Sequence, residues 1–279
     1  MNTSNYHHIL NDLIEIYKAY CKKDETYEIE RPFLDVLDLF TGKMEGYQKC
    51  DTKYHDLQHT IDEIVPMARI MDGWNRSKES PAISKKFFKL GIIAVLFHDA
   101  GYIKKTGDTE GTGGKYTFRH IEGGKELVKN YLYRQGYSDR DVRSVHNIIA
   151  CTDLETDVPK LTFKSAEEKI VGFSLGTSDL VTQMAAENYV EKLPYLFREY
   201  KEAYEYEGMD KLQRGGITIF ESEEHLVKYA PHFYENVVKK RLEAMGALYR
   251  FLAFPSKGGK NPYLESIEKN MEKIKSQYL

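Results

Sequence analysis

Cysteine, tryptophan and proline are scarce in this sequence, and no apolar stretch is long enough to cross a membrane. In 279 residues there are three cysteines (Cys21, Cys50 and Cys151), the single Trp74 and eight prolines. Scattered thiols in odd number argue against a disulfide framework, and without a CxxC pair a thiolate zinc site has no support. Charge is nearly balanced, at −3 near pH 7. The basic excess of a nucleic-acid or anionic-membrane binder is therefore missing. The opening MNTSNYHHIL has neither the basic start nor the apolar core of a secretory signal. The expectation is a protein of the reducing cytoplasm, with no membrane and no nucleic-acid polymer as partner.

What is present is a core and a helical rhythm. The chain is 41% hydrophobic and 30% charged, enough to bury a sizeable interior. Residues 6–20 place Leu10, Leu13, Ile14 and Tyr17 along one side of a helix. Pro32 precedes a second pattern, FLDVLDLF. Residues 51–70 carry Leu57, Ile61, Ile64, Val65 and Ala68 at helical spacing, with Pro66 expected to kink or break the helix near Val65. Further helices are expected over 119–135 and 139–151, the latter capped by Ser138 or Asp139. Ser165 and Glu168 read as a capping box opening the helix that carries Asp179. Residues 188–206 and 221–252 keep the period, the second interrupted at Pro231. A Gly/Lys/Pro linker at 255–262 precedes a last charged helix. No β alternation or repeat is evident. The reading is all-α, one helical bundle. Residues 1–45 form N-terminal helices packed on a core at 46–206, and 207–279 are a C-terminal helical extension.

The organising stretch is Leu90 to Tyr102, LGIIAVLFHDAGY. From Phe87 to Phe97 only Lys89 and Gly91 interrupt the apolar run, which suits a helix buried on most faces. Buried charge is costly unless paired or bound to a metal. His98 and Asp99 at the end of such a helix therefore read as metal ligands on a rigid anchor. His55 and His59, in YHDLQHTIDEI, are spaced i,i+4 and are expected to share one helix face. His120 and His146 fall on later helices. His7, His8, His225 and His232 read as surface or structural histidines. After the dyad comes GYIKKTGDTEGTGGKYTF, with five glycines in 18 residues. It reads as a flexible loop able to close like a lid. Lys104, Lys105, Lys115 and Arg119 are its candidate phosphate clamp, or else ordinary solvated cations. The segment GDTEGTGGK lacks the ending of a P-loop. Gln183, one turn after Asp179, shares its side and is a candidate substrate contact, or else an ordinary helix-surface residue.

Tyr54-His55-x-x-x-His59, then Phe97-His98-Asp99, then the lone Asp179 in LGTSDL together resemble the HD/PDEase superfamily of metal-dependent phosphohydrolases. The resemblance covers roughly residues 50 to 185. It implies an HD-domain-like helical fold in which His59, His98, Asp99 and Asp179 hold a first metal. His55 matches the general-acid histidine of the family's YHN element, although Asp56 replaces the asparagine. His120 and His146 resemble the ligands of a second metal, bridged by Asp99; the alternative pairs His120 with Glu122 and leaves His146 on a helix face. His55 and Asp99 are thus the implied catalytic residues. Histidine and carboxylate suit Fe, Mn, Zn, Ni or Co, and one or two divalent ions are expected, with Mg open at a second site. The implied function is a phosphomonoesterase or phosphodiesterase acting on a nucleotide-like or other small phosphoester by metal-activated hydroxide attack. The same scaffold also suits an HD-type di-iron oxygenase, or a non-catalytic metal- or nucleotide-binding signalling module. The expected partner is the small-molecule substrate, and a homodimer stays open.

Overall fold

The computed structural model describes residues 3–253 and 261–279; the linker expected at 255–262 falls largely outside them. The regular structure of the described residues is helical. Its helices are α1 (Thr3–Tyr17), α2 (Tyr27–Phe40), α3 (Leu57–Asp62), α4 (Ile64–Arg76), α5 (Lys85–Phe97), α6 (His120–Arg134) and α7 (Asp139–Ile149). They continue with α8 (Ala166–Ala185), α9 (Tyr189–Glu207), α10 (Met209–Arg214), α11 (Glu223–Phe233), α12 (Lys239–Ala244) and α13 (Pro262–Tyr278). Among the described residues the β pairing is an isolated bridge between Tyr47 and Lys105, and no helix is long and apolar enough to cross a membrane.

Two helices are sheathed by the others. Every residue of α5 from Leu90 to Phe97 is buried, and α8 is buried from Val171 to Val181. Around α5 stand α2, α4, α6, α7 and α8, while α8 also meets α4, α7 and α13. Each fully buried Ile, Leu or Phe contributes about 1.5–3 kcal/mol. That gain lets α5 carry two titratable groups on its buried end. One hydrophobic cluster runs from Leu13 on α1 to Ile274 on α13. The terminal helices pack on the same interior as the central ones.

Local signals decide where the helices start and stop. Ser84 caps α5 by accepting from the Phe87 N–H, and Ser138 with Asp141 forms a reciprocal capping box on α7. Ser165 caps α8 as expected. The Glu168 carboxylate, however, turns inward to Ser144 (3.0 Å) and Asn147 (2.6 Å) instead of closing the box. The helix expected over 51–70 breaks at Glu63, two residues before the expected place. Pro66 thereby falls in the first turn of α4, where its missing N–H has no intrahelical role. His55 lies outside α3, because Asp56 is the N-cap and accepts from the His59 N–H at 2.9 Å. The two histidines therefore do not share a helix face. After Pro231 the chain widens into a π-helical turn at Tyr234–Val238.

Candidate metal centre

The centre forms where α3, the junction of α3 and α4, the end of α5 and the middle of α8 converge. His98 follows the last residue of α5, and its Nδ1 lies 2.8 Å from the Val95 carbonyl. Donating that N–H leaves Nε2 to face inward, 3.3 Å from Asp99 Oδ2 and 3.4 Å from Glu63 Oε2. From α3, His59 brings Nε2 to 3.0 Å from Glu63 Oε1, 3.4 Å from Asp99 Oδ2 and 4.0 Å from Asp179 Oδ1. Asp179, on α8, is steadied by the Gln183 amide, which donates to its Oδ1 at 2.8 Å. Residues distant in sequence thus meet at one point.

His120 approaches from the other side. It opens α6, with Nδ1 2.6 Å from the Thr117 carbonyl and Nε2 3.7 Å from Asp99 Oδ1. Gly101 permits this, since a Cβ there would stand 1.8 Å from the His120 carbonyl oxygen. The Tyr102 ring lies 4.5 Å from both the His55 and the His120 rings, stacked on each. His55 is fixed by Glu199 of α9. One Glu199 oxygen is 2.6 Å from His55 Nδ1, and the other accepts the N–H groups of Lys53 (2.9 Å) and Tyr54 (2.7 Å).

The electrostatics are those of an incomplete site. His59 Nε2, His98 Nε2, Asp99 Oδ2 and both Glu63 oxygens are buried without a hydrogen-bond partner. Burial alone would lower the His98 pKa, but the Asp99 and Glu63 carboxylates outweigh it and raise it to about 10. His59 is likewise raised, Glu63 and Asp99 overcoming its burial. Asp99 is held well below the usual carboxylate range because His98 and His59 outweigh its burial. Asp179 rises to about 7 through burial and the neighbouring Glu63 charge. His120 is pushed down to about 4, chiefly by burial, against the pull of Asp99.

Of the residues singled out in the sequence, His55, His59, His98, Asp99, His120, Asp179 and Gln183 are brought together. His146 is not: its Nε2 lies 2.9 Å from the Lys125 carbonyl, between α6 and α7. The loop cations have partners of their own. Lys104 is 3.0 Å from Asp51, Lys115 is 2.5 Å from Asp108, and Arg119 is 2.6 Å from Glu207; Lys105 is exposed. Nor does the loop pack like an open lid. Glu202 accepts from the Thr112 N–H and hydroxyl, Asp51 accepts from the Gly113 N–H, and a Cβ at Gly113 would lie 1.9 Å from the Tyr102 carbonyl oxygen. Two contributors escaped the sequence reading. Glu63 carried a signal, an acid four residues after His59 inside an apolar stretch. Glu199 carried none, being 144 residues from His55.

No protein-family model matches the sequence, and no curated protein matches it. Solved structures do. The phosphodiesterase domain of the RhoPDE fusion protein from the choanoflagellate Salpingoeca rosetta aligns with a TM-score of 0.57 over 98% of this chain and 90% of that one, at 14% identity. A second structure, of the phosphodiesterase domain of the Salpingoeca rosetta rhodopsin phosphodiesterase, aligns at 0.55 over 96% and 87%, with 13% identity. The chain shares the fold of these phosphodiesterase domains. The residues at the centre fit a metal ion. His59, Glu63, His98 and Asp179 each offer a ligand atom within 4.8 Å of the others, as do His55, His59 and Asp99. Ligands held about 2.1 Å from a shared ion stand about 3 Å apart at right angles and about 4.2 Å apart when opposite. The separations of 3.0 to 4.0 Å around His59 Nε2 span that range.

Proposed function

We propose that this chain is an HD-type metal-dependent phosphoester hydrolase, a phosphomonoesterase or phosphodiesterase for a small, nucleotide-like phosphoester. The observation that carries the reading is the set of buried, unpartnered nitrogen and oxygen atoms on His59, Glu63, His98 and Asp99. Clustering ionisable atoms in this way is costly without a counterpart, and a cation is one counterpart that all of them can share. In this proposal His59, His98, Asp99 and Asp179 hold the primary divalent ion, and His120 faces any second ion across Asp99. When bound, such ions supply charge stabilisation for phosphoryl oxygens and acidify a water.

The chain's own residues do the rest. His55 gives its proton to the leaving-group oxygen, with its Nδ1 side held by Glu199 so that the other ring nitrogen is free for transfer. Tyr102 fixes the tilt of the His55 ring by stacking. Gln183 orients Asp179, donating to its carboxylate and main-chain carbonyl and accepting from the Tyr54 hydroxyl. Exposed Lys105 is the cation best placed to meet a phosphate at the loop surface, since Lys104 and Lys115 are buried in internal pairs and Arg119 is paired with Glu207. The oxygenase reading needed six ligands including His146, which here bonds elsewhere.

The test is hydrolysis of p-nitrophenyl phosphate, bis(p-nitrophenyl) phosphate and cyclic nucleotides by protein reloaded with Mn2+, Fe2+, Zn2+, Co2+ or Ni2+. Turnover that disappears with chelator supports the proposal. Metal-loaded protein inert toward all of these esters counts against it.

A further inference from the structure

We propose that Glu63 is a direct ligand of the primary ion, a third carboxylate that shifts the site toward hard, six-coordinate cations such as Mn2+. This rests on the reading of the centre as a metal site. Glu63 stands outside the His59, His98-Asp99, Asp179 pattern that drew attention to the site.

Its side chain is fully buried, and neither carboxylate oxygen has a hydrogen-bond partner. What the oxygens do meet are two ring nitrogens, His59 Nε2 at 3.0 Å and His98 Nε2 at 3.4 Å, each unpartnered too. The His98 Nδ1–H is directed to the Val95 carbonyl. In the neutral ring, the form in which a histidine binds metal, Nε2 turns a lone pair toward the lone pairs of Glu63. Facing lone pairs repel unless a proton or a metal cation sits between them. With a metal there, every member of the set changes from orphan to ligand.

The backbone places Glu63 deliberately. It is the break between α3 and α4, and its carbonyl accepts from the Ser178 hydroxyl at 2.9 Å, next to Asp179 on α8. The same contact therefore fixes the position of two carboxylates. Two imidazoles and three carboxylates make an oxygen-rich set, which favours Mn2+ and Mg2+ more than an imidazole-rich tetrahedral set does.

The experiment is calorimetric titration of the metal-free 279-residue chain with Mn2+ alone and with Zn2+ alone, on wild type and Glu63→Gln. We expect Glu63→Gln to weaken Mn2+ by about 100-fold or more, at or beyond what loss of an outer partner of a ligand costs. Zn2+ should weaken less. The melting temperature of the metal-free variant should fall, because without a cation Glu63 pairs with the two imidazoles; the Mn2+ Kd is the readout that separates a ligand from an ion-pair partner. An unchanged Mn2+ Kd would overturn the proposal and leave Glu63 only an ion-pair partner of the two imidazoles. Should Glu63→Gln not fold, Glu63→Asp carries the same test, since it keeps the charge but draws the oxygens back by one methylene. The titration needs no substrate. A protein that binds Mn2+ through Glu63 yet hydrolyses no phosphoester would refute the proposed function and leave this inference standing.

Discussion

Two buried polar clusters lie close together in this chain, and they are finished differently. In the glycine-rich loop each buried charge has its opposite. Lys104 meets Asp51 and the Gly111 carbonyl, and Lys115 meets Asp108 and the Glu110 carbonyl. At the junction of α3, α5 and α8, carboxylates and imidazoles crowd together with five of their atoms unsatisfied. The loop is complete as it stands, and its charges serve the fold. The centre, in the proposed reading, is completed by a cation. Burial of polar side chains is therefore not by itself the mark of a functional site; clustered ligand atoms left without a hydrogen-bond partner are the sharper signal.

The sharpest way to break that contrast is at Asp99, which approaches His59, His98 and His120. Asp99→Ala should abolish stoichiometric metal and all hydrolysis, as measured by elemental analysis of protein purified and reloaded in parallel with wild type. Full metal content in that variant would end the comparison. Next in size, His55→Ala should keep its metal and lose about 10²–10⁴-fold in kcat; metal loss would instead make His55 a ligand.

On the loop side, Asp108→Ala leaves the Lys115 ammonium without its carboxylate. The cost should be about 1–3 kcal/mol of stability, read by urea denaturation, with Mn2+ affinity unchanged. A coupled loss of metal would show that the two clusters are one.

The smallest effect is a pH dependence of the metal-free protein. His98 is raised to about 10, Asp99 and Glu63 outweighing its burial. The folded state therefore holds this proton more tightly than the unfolded chain. The stability it contributes is present below the ordinary histidine pKa and is lost as pH climbs toward about 10. Melting temperatures should fall over that window without metal and fall less with it, because ligands bind metal deprotonated. Parallel profiles with and without metal would argue against a shared site.

The bundle was legible because apolar periodicity is a local property. The buried run from Phe87 to Phe97 announced α5, and the HD dyad after it announced a reason for ending it there. His59 and Asp179 were legible only as members of an ordered pattern. Glu63 was hidden by its neighbour Asp62, since two acids after a histidine look like a solvated helix face until the break that turns one of them inward is seen. His55 was misplaced onto a helix because i,i+4 spacing was weighed above the capping preference of Asp56. The loop was read as mobile from its glycines. Glycine also permits close approach, and at Gly101 and Gly113 that is what the packing uses. Glu199 depends wholly on tertiary structure.

Glu199 and Glu202 lie one turn apart on α9 and grip different things, the first the segment carrying His55 and the second Thr112 of the loop. One helix thus holds the reins of both. Were α9 to slip along its axis, the proposed proton donor would swing out of aim and the loop would slacken in the same movement, while the proposed cation site on α3, α5 and α8 kept its shape. On that reading, injury to the helix would leave a loaded but idle protein, one that metal analysis would pass as sound.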